Sequence, residues 1–166
     1  TTLRDSIVSI TAPLKPKKII ILSSAPQIRY PDCYGIDMSK MGDFVAFQAL
    51  TELLKAKDLS HLLRETYERC QQAEHLPAEE IRNEVACLYD HFNYEEISRK
   101  IATIVRPKGI KPELEIIFQT LEGLHTACPA HRGDWYFSGQ YPTPGGNRVV
   151  NRAFMNFVEK KDSRAY

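Results

Sequence analysis

Few residues in this 166-residue chain have the types and spacing that chemistry needs. Two pairs of adjacent acidic residues, Glu79-Glu80 and Glu95-Glu96, lie in segments with a helical pattern. Neighbouring side chains on a helix point about 100° apart, so the two carboxylates of a pair do not face each other. We interpret both pairs as solvated helix faces and not as metal sites.

The cysteines are further candidates for ligands or nucleophiles. Cys128 and His131 are three residues apart, a spacing that occurs in metal sites, but no second pair of ligands accompanies them. The other cysteines, Cys33, Cys70 and Cys87, lie far apart, and no Cys-x-x-Cys pair is present. Scattered cysteines of this kind predict reduced, mostly buried thiols in a cytoplasmic protein without a bound metal.

No pattern for independent hydrolytic chemistry is present. The chain has neither a Gly-x-Ser-x-Gly motif nor a Cys–His constellation. The histidines on helical patterns are interpreted as surface or hydrogen-bonded residues. They are His61, His75, His91 and His125.

The overall charge excludes two classes of partner. Lys and Arg number 22 and Asp and Glu 21, which gives a formal net charge of +1. This balance offers no electrostatic reason to bind nucleic acid or an anionic membrane. No apolar run approaches the roughly 18 residues that a membrane crossing needs, and the N-terminal residues lack the features of a signal peptide. With 43% hydrophobic residues the chain can build a core.

A helix and then a strand are predicted at the start of the chain. Apolar residues recur at helical spacing over residues 2–12, and Pro13 and Pro16 are expected to end the helix. Lys17–Ser24 follows, with four consecutive large aliphatic residues that favour a strand buried on both faces. A helix followed by a buried strand is the second half of a βαβ unit, so a further strand is expected before the first residue.

The middle of the chain is predicted to be helical. Residues 42–92 carry apolar residues at helical spacing, and Pro77 stands where a helix can begin. In the second half of this region we expect the following positions to face inward: Ile81, Val85, Leu88 and Phe92.

The last third is predicted from capping signals. Asn93 and Glu96 have the spacing of a capping box at the start of a helix. Leu114–Phe118 is a short strand candidate, and Thr120 can cap a brief helix over residues 121–127. After a turn-rich stretch, a final helix is predicted over Arg148–Lys160, with these residues inward: Val150, Phe154, Phe157 and Val158.

One stretch carries a family resemblance. Ser23–Met38 reads SSAPQIRYPDCYGIDM and follows the predicted strand. It closely resembles the Ser-Ala-Pro, Arg-x-Pro and Tyr-Gly-Ile-Asp signature of amidophosphoribosyltransferases, which also follows a strand in that family. The beginning of the chain is similar as well, because the family's phosphoribosylpyrophosphate (PRPP) loop ends in two threonines before a helix, as Thr1 and Thr2 do here.

Further stretches extend the resemblance. Tyr94–Ile97 and Glu115–Leu124 resemble the helix, strand and helix that close the family's domain, and Trp135–Thr143 resembles the tail of its iron–sulfur members. In those members two cysteines precede the tail motif, whereas Gly133 and Tyr136 occupy these positions here. Neither residue can bind iron, so no iron–sulfur cluster is expected. We expect the aromatic residues of the tail, Trp135, Tyr136 and Phe137, to anchor it instead.

The resemblance implies a two-step enzyme. In this family a glutaminase domain releases ammonia from glutamine, and a second domain uses it to displace pyrophosphate from PRPP, giving 5-phosphoribosylamine. Thr1 and Thr2 would then bind the 5′-phosphate at a helix N-terminus, although a plain helix cap explains them equally. Mg²⁺ would accompany the pyrophosphate, and the acidic pair that contacts the ribose would precede Thr1. The implied parent is a cytoplasmic homo-oligomer, and the chain alone is expected to be inactive.

Four more residues are candidates through the resemblance. Arg29, Tyr34 and Asp37 would form the wall of the active site, and Phe44 would line the ammonia channel. The alternative is structural: Arg29 paired with a carboxylate, Tyr34 packed, Asp37 capping a helix, and Phe44 in the core with Phe47.

We therefore predict an α/β chain that forms part of a type I phosphoribosyltransferase-like (Rossmann-like) sheet. Residues 1–48 would belong to the phosphoribosyltransferase core, 49–93 would be a helical insertion, and 94–166 would form the closing helix, strand, helix and tail. The competing hypothesis is a non-catalytic structural or interaction module built around the insertion, for which an exposed sheet edge would provide a contact surface.

Overall fold

This computed structural model describes residues 3–33, 38–130 and 133–165. Two short strands and several helices lie within them, joined by loops. The chain is an α/β protein, as predicted. Its elements, in order, are α1 (Ser9–Thr11), β1 (Lys18–Ser23), α2 (Val45–Ala56), α3 (His61–Ala73), α4 (Ala86–Tyr89), α5 (Tyr94–Val105), β2 (Glu113–Phe118), α6 (Leu121–Ala127), α7 (Trp135–Ser138) and α8 (Pro144–Val158). None of the helices in these residues combines the length and apolar character that a membrane crossing requires.

The helical start of the chain is longer than predicted. A π-helical turn at Leu3–Val8 leads into α1, and a 3-10 turn at Ala12–Leu14 follows. Pro13 does not end the helix, because proline is accommodated in the first turn of the 3-10 segment, where its missing N–H is not needed. The helical path ends at Lys15, whose φ of 54° is left-handed.

The strands pair in parallel, from Lys18 opposite Glu113 to Ser23 opposite Phe118. The inner face of this sheet packs on α5 and enters the core through residues such as Ile116. The outer face is open, and Leu22 is 75% exposed. The expectation that β1 is buried on both faces is therefore wrong. One helical layer packs on the sheet in the described residues, and it covers the inner face alone.

The helices pack into a single core with the sheet. α5 lies against both β2 and α2, and α3 lies against α8. An edge-to-face contact between Phe47 and Phe154, with ring centroids 6.0 Å apart, joins α2 to α8. The core draws side chains from before, within and after residues 49–93. The domain boundaries at 48 and 93 stay a prediction.

The predicted capping signals around α5 and α6 are confirmed. The Asn93 side chain accepts a hydrogen bond from the Glu96 N–H, and the Glu96 carboxylate accepts one from the Asn93 N–H. At α6, the Thr120 hydroxyl accepts a hydrogen bond from the Gly123 N–H. These local rules locate both helix starts because each cap satisfies N–H groups of its own first turn.

Residues 81–85 form no helix, which corrects the helical prediction for this region. The backbone carbonyls of Ile81 and Arg82 accept hydrogen bonds from the side-chain amides of Asn147 and Asn151 on α8. The Glu84 N–H donates to Oδ1 of Asn151. We call residues 81–85 the clamped segment. Its predicted inward residues are nevertheless buried, because α8 holds this irregular backbone against the core.

The final helix begins four residues earlier than predicted. The Thr143 hydroxyl accepts a hydrogen bond from the Gly146 N–H, and Pro144 occupies the first turn, so the turn-rich sequence is a helix start. Val150 and Phe154 are buried as predicted. Phe157 is 37% exposed instead of inward, although its ring packs edge-to-face on Phe47.

Candidate functional site

The candidate site is the β1 loop, residues 24–33, which leaves the carboxyl end of β1. β2 ends beside it, and the Gln119 N–H donates to the Ser23 carbonyl over 3.1 Å. In open parallel sheets, ligands bind outside the carboxyl ends of the strands. The β1 loop contains most of the family signature that begins at Ser23.

Gln27 fixes the loop to α5. Its side chain is 1% exposed, and its amide donates to the Tyr94 carbonyl (3.0 Å) and to the Ser98 hydroxyl (2.8 Å). The Gln27 N–H donates to the Tyr94 hydroxyl (2.9 Å), which itself donates to the Gln119 carbonyl (2.8 Å). One tyrosine hydroxyl therefore joins the loop after β1 to the residue after β2.

Arg29 is held between two aromatic rings and an amide. Its Nε and Nη2 donate to Oε1 of Gln27 over 3.1 and 2.9 Å. The guanidinium carbon lies 4.8 Å from the Tyr89 ring centroid and 5.1 Å from that of Tyr94. The expected carboxylate partner of Arg29 is therefore wrong, because the Gln27 oxygen occupies that side. Within the described residues Nη1 has no partner, so the fixed cation retains donors for an anion.

The C-terminal tail closes over the loop. The Tyr136 carbonyl accepts hydrogen bonds from the N–H groups of Arg29 (2.8 Å) and Tyr30 (3.1 Å), and the Tyr136 hydroxyl donates to Asp32 (3.0 Å). The Tyr141 hydroxyl donates to the Pro31 carbonyl over 2.7 Å. The expectation that aromatic residues anchor this tail is confirmed for Tyr136.

Gly133 has a steric reason to be glycine. A Cβ atom built at this position would lie 2.6 Å from the Trp135 ring, closer than real contacts allow. The described residues contain no group of three or more His, Cys, Asp and Glu side chains that could hold a metal ion. Cys128 is exposed, while its predicted companion His131 lies outside the described residues.

Three tyrosines and one cysteine in and around the loop stay protonated at physiological pH. Burial raises the pKa values of Tyr30, Tyr89 and Tyr141 well above 10.0. Burial, with the neighbouring Asp32 carboxylate, also raises the pKa of the Cys33 thiol. A thiol with a raised pKa is a poor nucleophile, so the arrangement is suited to binding and positioning and not to covalent catalysis by Cys33.

The other predicted site residues are placed differently. Phe44 is 5% exposed, directly before α2, and belongs to the same core cluster as Phe47, so the structure shows core packing. A role in an ammonia channel stays a prediction. Thr1, Thr2, Tyr34 and Asp37 lie outside the described residues.

Sequence reasoning missed the residues that build the site around Arg29. Gln27 lies within the family signature and Tyr94 at the start of α5, but neither was given a role. Their partners are about 70 residues away in sequence. The sequence carries no signal for this role, because the burial of Gln27 follows from the packing of the loop on α5.

Comparison with known proteins finds two curated relatives with the same name. Amidophosphoribosyltransferases of Pasteurella multocida and Haemophilus influenzae are each 41% identical to this chain over 46 residues. The match covers 28% of this chain and 9% of each relative, so it spans a small part of their length. No family model matches the chain, and no solved structure matches it. The chain is thus similar, over about a quarter of its length, to a short part of these transferases.

Proposed function

We propose that this chain is the C-terminal part of an amidophosphoribosyltransferase, which transfers ammonia from glutamine to PRPP and gives 5-phosphoribosylamine at the start of purine biosynthesis. The observation that carries the proposal is the β1 loop. The signature sequence lies at the carboxyl edge of a parallel sheet, where α/β proteins bind ligands. The identity shared with two transferases of that name supports it.

In the proposed enzyme this chain binds and positions, and the reacting groups come from elsewhere in the protein. PRPP is strongly anionic, and Arg29 presents a preoriented cation whose Nη1 donors match phosphate oxygens. Thr1 and Thr2 would add the 5′-phosphate site, Tyr34 and Asp37 would complete the wall, and Phe44 would border the ammonia path.

The Mg²⁺ of the proposed reaction does not fit the described residues, which offer no cluster of metal ligands. The ion would accompany the pyrophosphate and be held by other parts of the enzyme. Because the glutaminase domain and the loops that bind the ribose and pyrophosphate would lie in other parts of the enzyme, the 166-residue chain alone is expected to be inactive. The proposed enzyme is cytoplasmic and homo-oligomeric.

The test uses the full-length protein that contains this chain. With PRPP, glutamine and Mg²⁺, it should release pyrophosphate and form phosphoribosylamine, and the isolated chain should release none. Purified full-length protein that consumes neither PRPP nor glutamine would refute the proposal.

A second candidate function is an interaction module, favoured by the outer face of the sheet. Ile20 and Leu22 on β1 are 53% and 75% exposed, and Ile117, directly opposite Leu22, is 47% exposed. Three exposed aliphatic side chains on one face are a contact surface for protein.

Sedimentation of the isolated chain tests this second function. A module should form concentration-dependent oligomers that Leu22→Lys abolishes, whereas Lys108→Leu, in an exposed loop, should leave them unchanged. If the isolated chain is monomeric at all concentrations and the full-length protein is active, the interaction module is excluded.

A further inference from the structure

A cavity lies away from the β1 loop. It is a cleft of about 670 Å³ between α3, α8 and the C-terminal segment 161–165. This is within the range of about 300–1,000 Å³ that is typical of small-molecule sites. None of the described residues that line it belongs to the β1 loop.

The wall formed by residues 161–165 is fixed in position. The Asn156 side-chain amide donates to the carbonyls of Ser163 and Arg164, each over 3.3 Å, and the Lys161 N–H donates to the Asn156 carbonyl over 2.9 Å. Ala165 at its end is 5% exposed and belongs to the core. The cleft is therefore built by hydrogen bonds and burial.

The floor of the cleft is apolar and neutral. Ile81 and Cys70 are fully buried, and Met155 is 3% exposed. Burial raises the pKa of the Cys70 thiol to about 12, so it carries no charge at neutral pH. A ligand that reaches this floor must bring an apolar surface, because an unpaired polar group buried there would cost free energy.

The rim has more basic than acidic residues. Among the charged lining residues, four are cations and one is an anion, although the whole chain has a net charge of only +1. The single acidic residue, Glu74, is already bonded to Arg152. Arg148 is exposed and has no ion-pair partner within the described residues. Of the other basic residues, Lys161 is paired with Glu159 over 2.6 Å, and Arg164 completes the set.

The N-terminal turn of α8 adds to this positive potential. Gly145, in the first turn of the 15-residue helix, lines the cleft. The helix dipole favours negative charge near this end, where Thr143 already caps the Gly146 N–H. The rim and the helix end therefore select the same sign of ligand charge.

We propose that this cleft binds an amphipathic organic anion, a molecule with an aromatic or aliphatic body and a phosphate, sulfonate or carboxylate group. The apolar body lies on the floor at Ile81 and Met155, and the anionic group lies at the rim beside Arg148. Nothing in this proposal depends on the function proposed for the β1 loop, because the two sites share no lining residue among those described.

The test is a fluorescence titration of the 166-residue chain with anilinonaphthalene sulfonate, which has the proposed chemistry. One saturable site is expected, with a Kd below about 1 mM. Arg148→Glu should weaken binding about tenfold, since a charge-assisted hydrogen bond is lost and repulsion is added. Uncharged phenylnaphthylamine should bind at least about tenfold more weakly than the sulfonate.

Two matched variants distinguish the cleft from other surfaces. Lys108→Glu makes the same charge change in a distant loop, and Leu22→Ser removes the most exposed of the three aliphatic residues on the outer face of the sheet. Both should bind the dye with wild-type affinity. Hydrogen exchange should slow at residues 70–74 and 161–165 when the dye is bound. Equal affinity of the Arg148→Glu and Lys108→Glu variants, dye binding lost in Leu22→Ser, or equal binding of the neutral analogue would each overturn the proposal.

Discussion

The β1 loop and the clamped segment both have irregular backbones that are fixed by hydrogen bonds of side-chain amides. In the clamped segment, Asn147 and Asn151 bond to backbone groups alone, and the interaction is internal. In the β1 loop, Gln27 instead orients Arg29, whose Nη1 has no partner within the described residues. In the clamped segment the asparagine side chains are used in hydrogen bonds to the backbone, as a structural role requires. The β1 loop leaves a charged group prepared for a ligand.

Among the substitutions predicted here, replacement of an asparagine that holds the clamped segment should cause the largest loss of stability. Asn151 is 3% exposed, and its amide serves the Glu84 N–H and the Arg82 carbonyl. Asn151→Leu leaves both backbone groups without their partner, so we expect the free energy of unfolding to fall by about 3 kcal/mol. Urea unfolding at pH 7 measures this, with Arg148→Gln on the exposed side of α8 as the control, expected within about 0.5 kcal/mol of wild type. A loss below that of the control would show that the clamp is unimportant.

Gln27→Leu should cost less, about 1–2 kcal/mol. The Tyr94 carbonyl also accepts a hydrogen bond from the Ser98 hydroxyl, so it keeps a partner when Gln27 is replaced. Arg29 is half-buried and can be hydrated. The same urea titration compares the two variants. If Gln27→Leu destabilises more than Asn151→Leu, the β1 loop is as much a scaffold as the clamped segment.

Arg29→Leu should separate stability from function. Exposed cation–π contacts contribute about 0.5–1 kcal/mol each, so unfolding should change by no more than about 1–2 kcal/mol. In the proposed full-length enzyme, kcat/KM for PRPP should fall at least about tenfold, because an oriented phosphate donor is lost. Arg99→Leu, on the exposed side of α5, is the matched control and should retain activity. Equal activities of the two variants would remove Arg29 from the site.

The smallest effect at neutral pH is expected for Tyr30→Phe. Burial raises the folded-state pKa of Tyr30 above the ordinary 10.0, so the unfolded chain loses this proton first. The contribution to stability is complete below pH 10 and declines as pH rises above it, by up to about 1.4 kcal/mol per pH unit. Tyr30→Phe should match wild type at pH 7 within about 0.5 kcal/mol and should decline less steeply above pH 10. Urea unfolding at several alkaline pH values measures both slopes, and identical slopes would contradict this assignment.

Elements fixed by neighbouring residues could be predicted from the sequence. The capping box of Asn93 and Glu96 and the Thr120 cap bond within their own first turns, so their signals are local. The aliphatic run in β1 likewise predicts a strand, because residues of this type suit a pleated backbone. Thr143 and Pro144 are also typical of a helix start, but the glycines that follow them favour a turn.

Features fixed by distant residues could not be predicted. The helical spacing of Ile81, Val85 and Leu88 describes burial correctly, but the backbone conformation is decided by asparagines more than 60 residues later. The predicted carboxylate partner of Arg29 was wrong for a related reason. The Gln27 side-chain oxygen faces Arg29 because the NH2 group of the same amide is bound by Tyr94 and Ser98 of α5. The open outer face of β1 depends on which layers pack on the sheet, and a strand's own composition does not specify that.

The parallel pairing of β1 with β2 also limits when the sheet can form during translation. About 90 residues separate the end of β1 from the start of β2, so at about 5–20 residues per second a ribosome makes β2 roughly 5–20 s after β1. During that interval the aliphatic run of β1 lacks β2 as a partner, while the local helices α2, α3 and α5 can already form. The nascent chain therefore exposes an aggregation-prone strand before β2 is made, and chaperones that bind this strand would prevent its association with other chains.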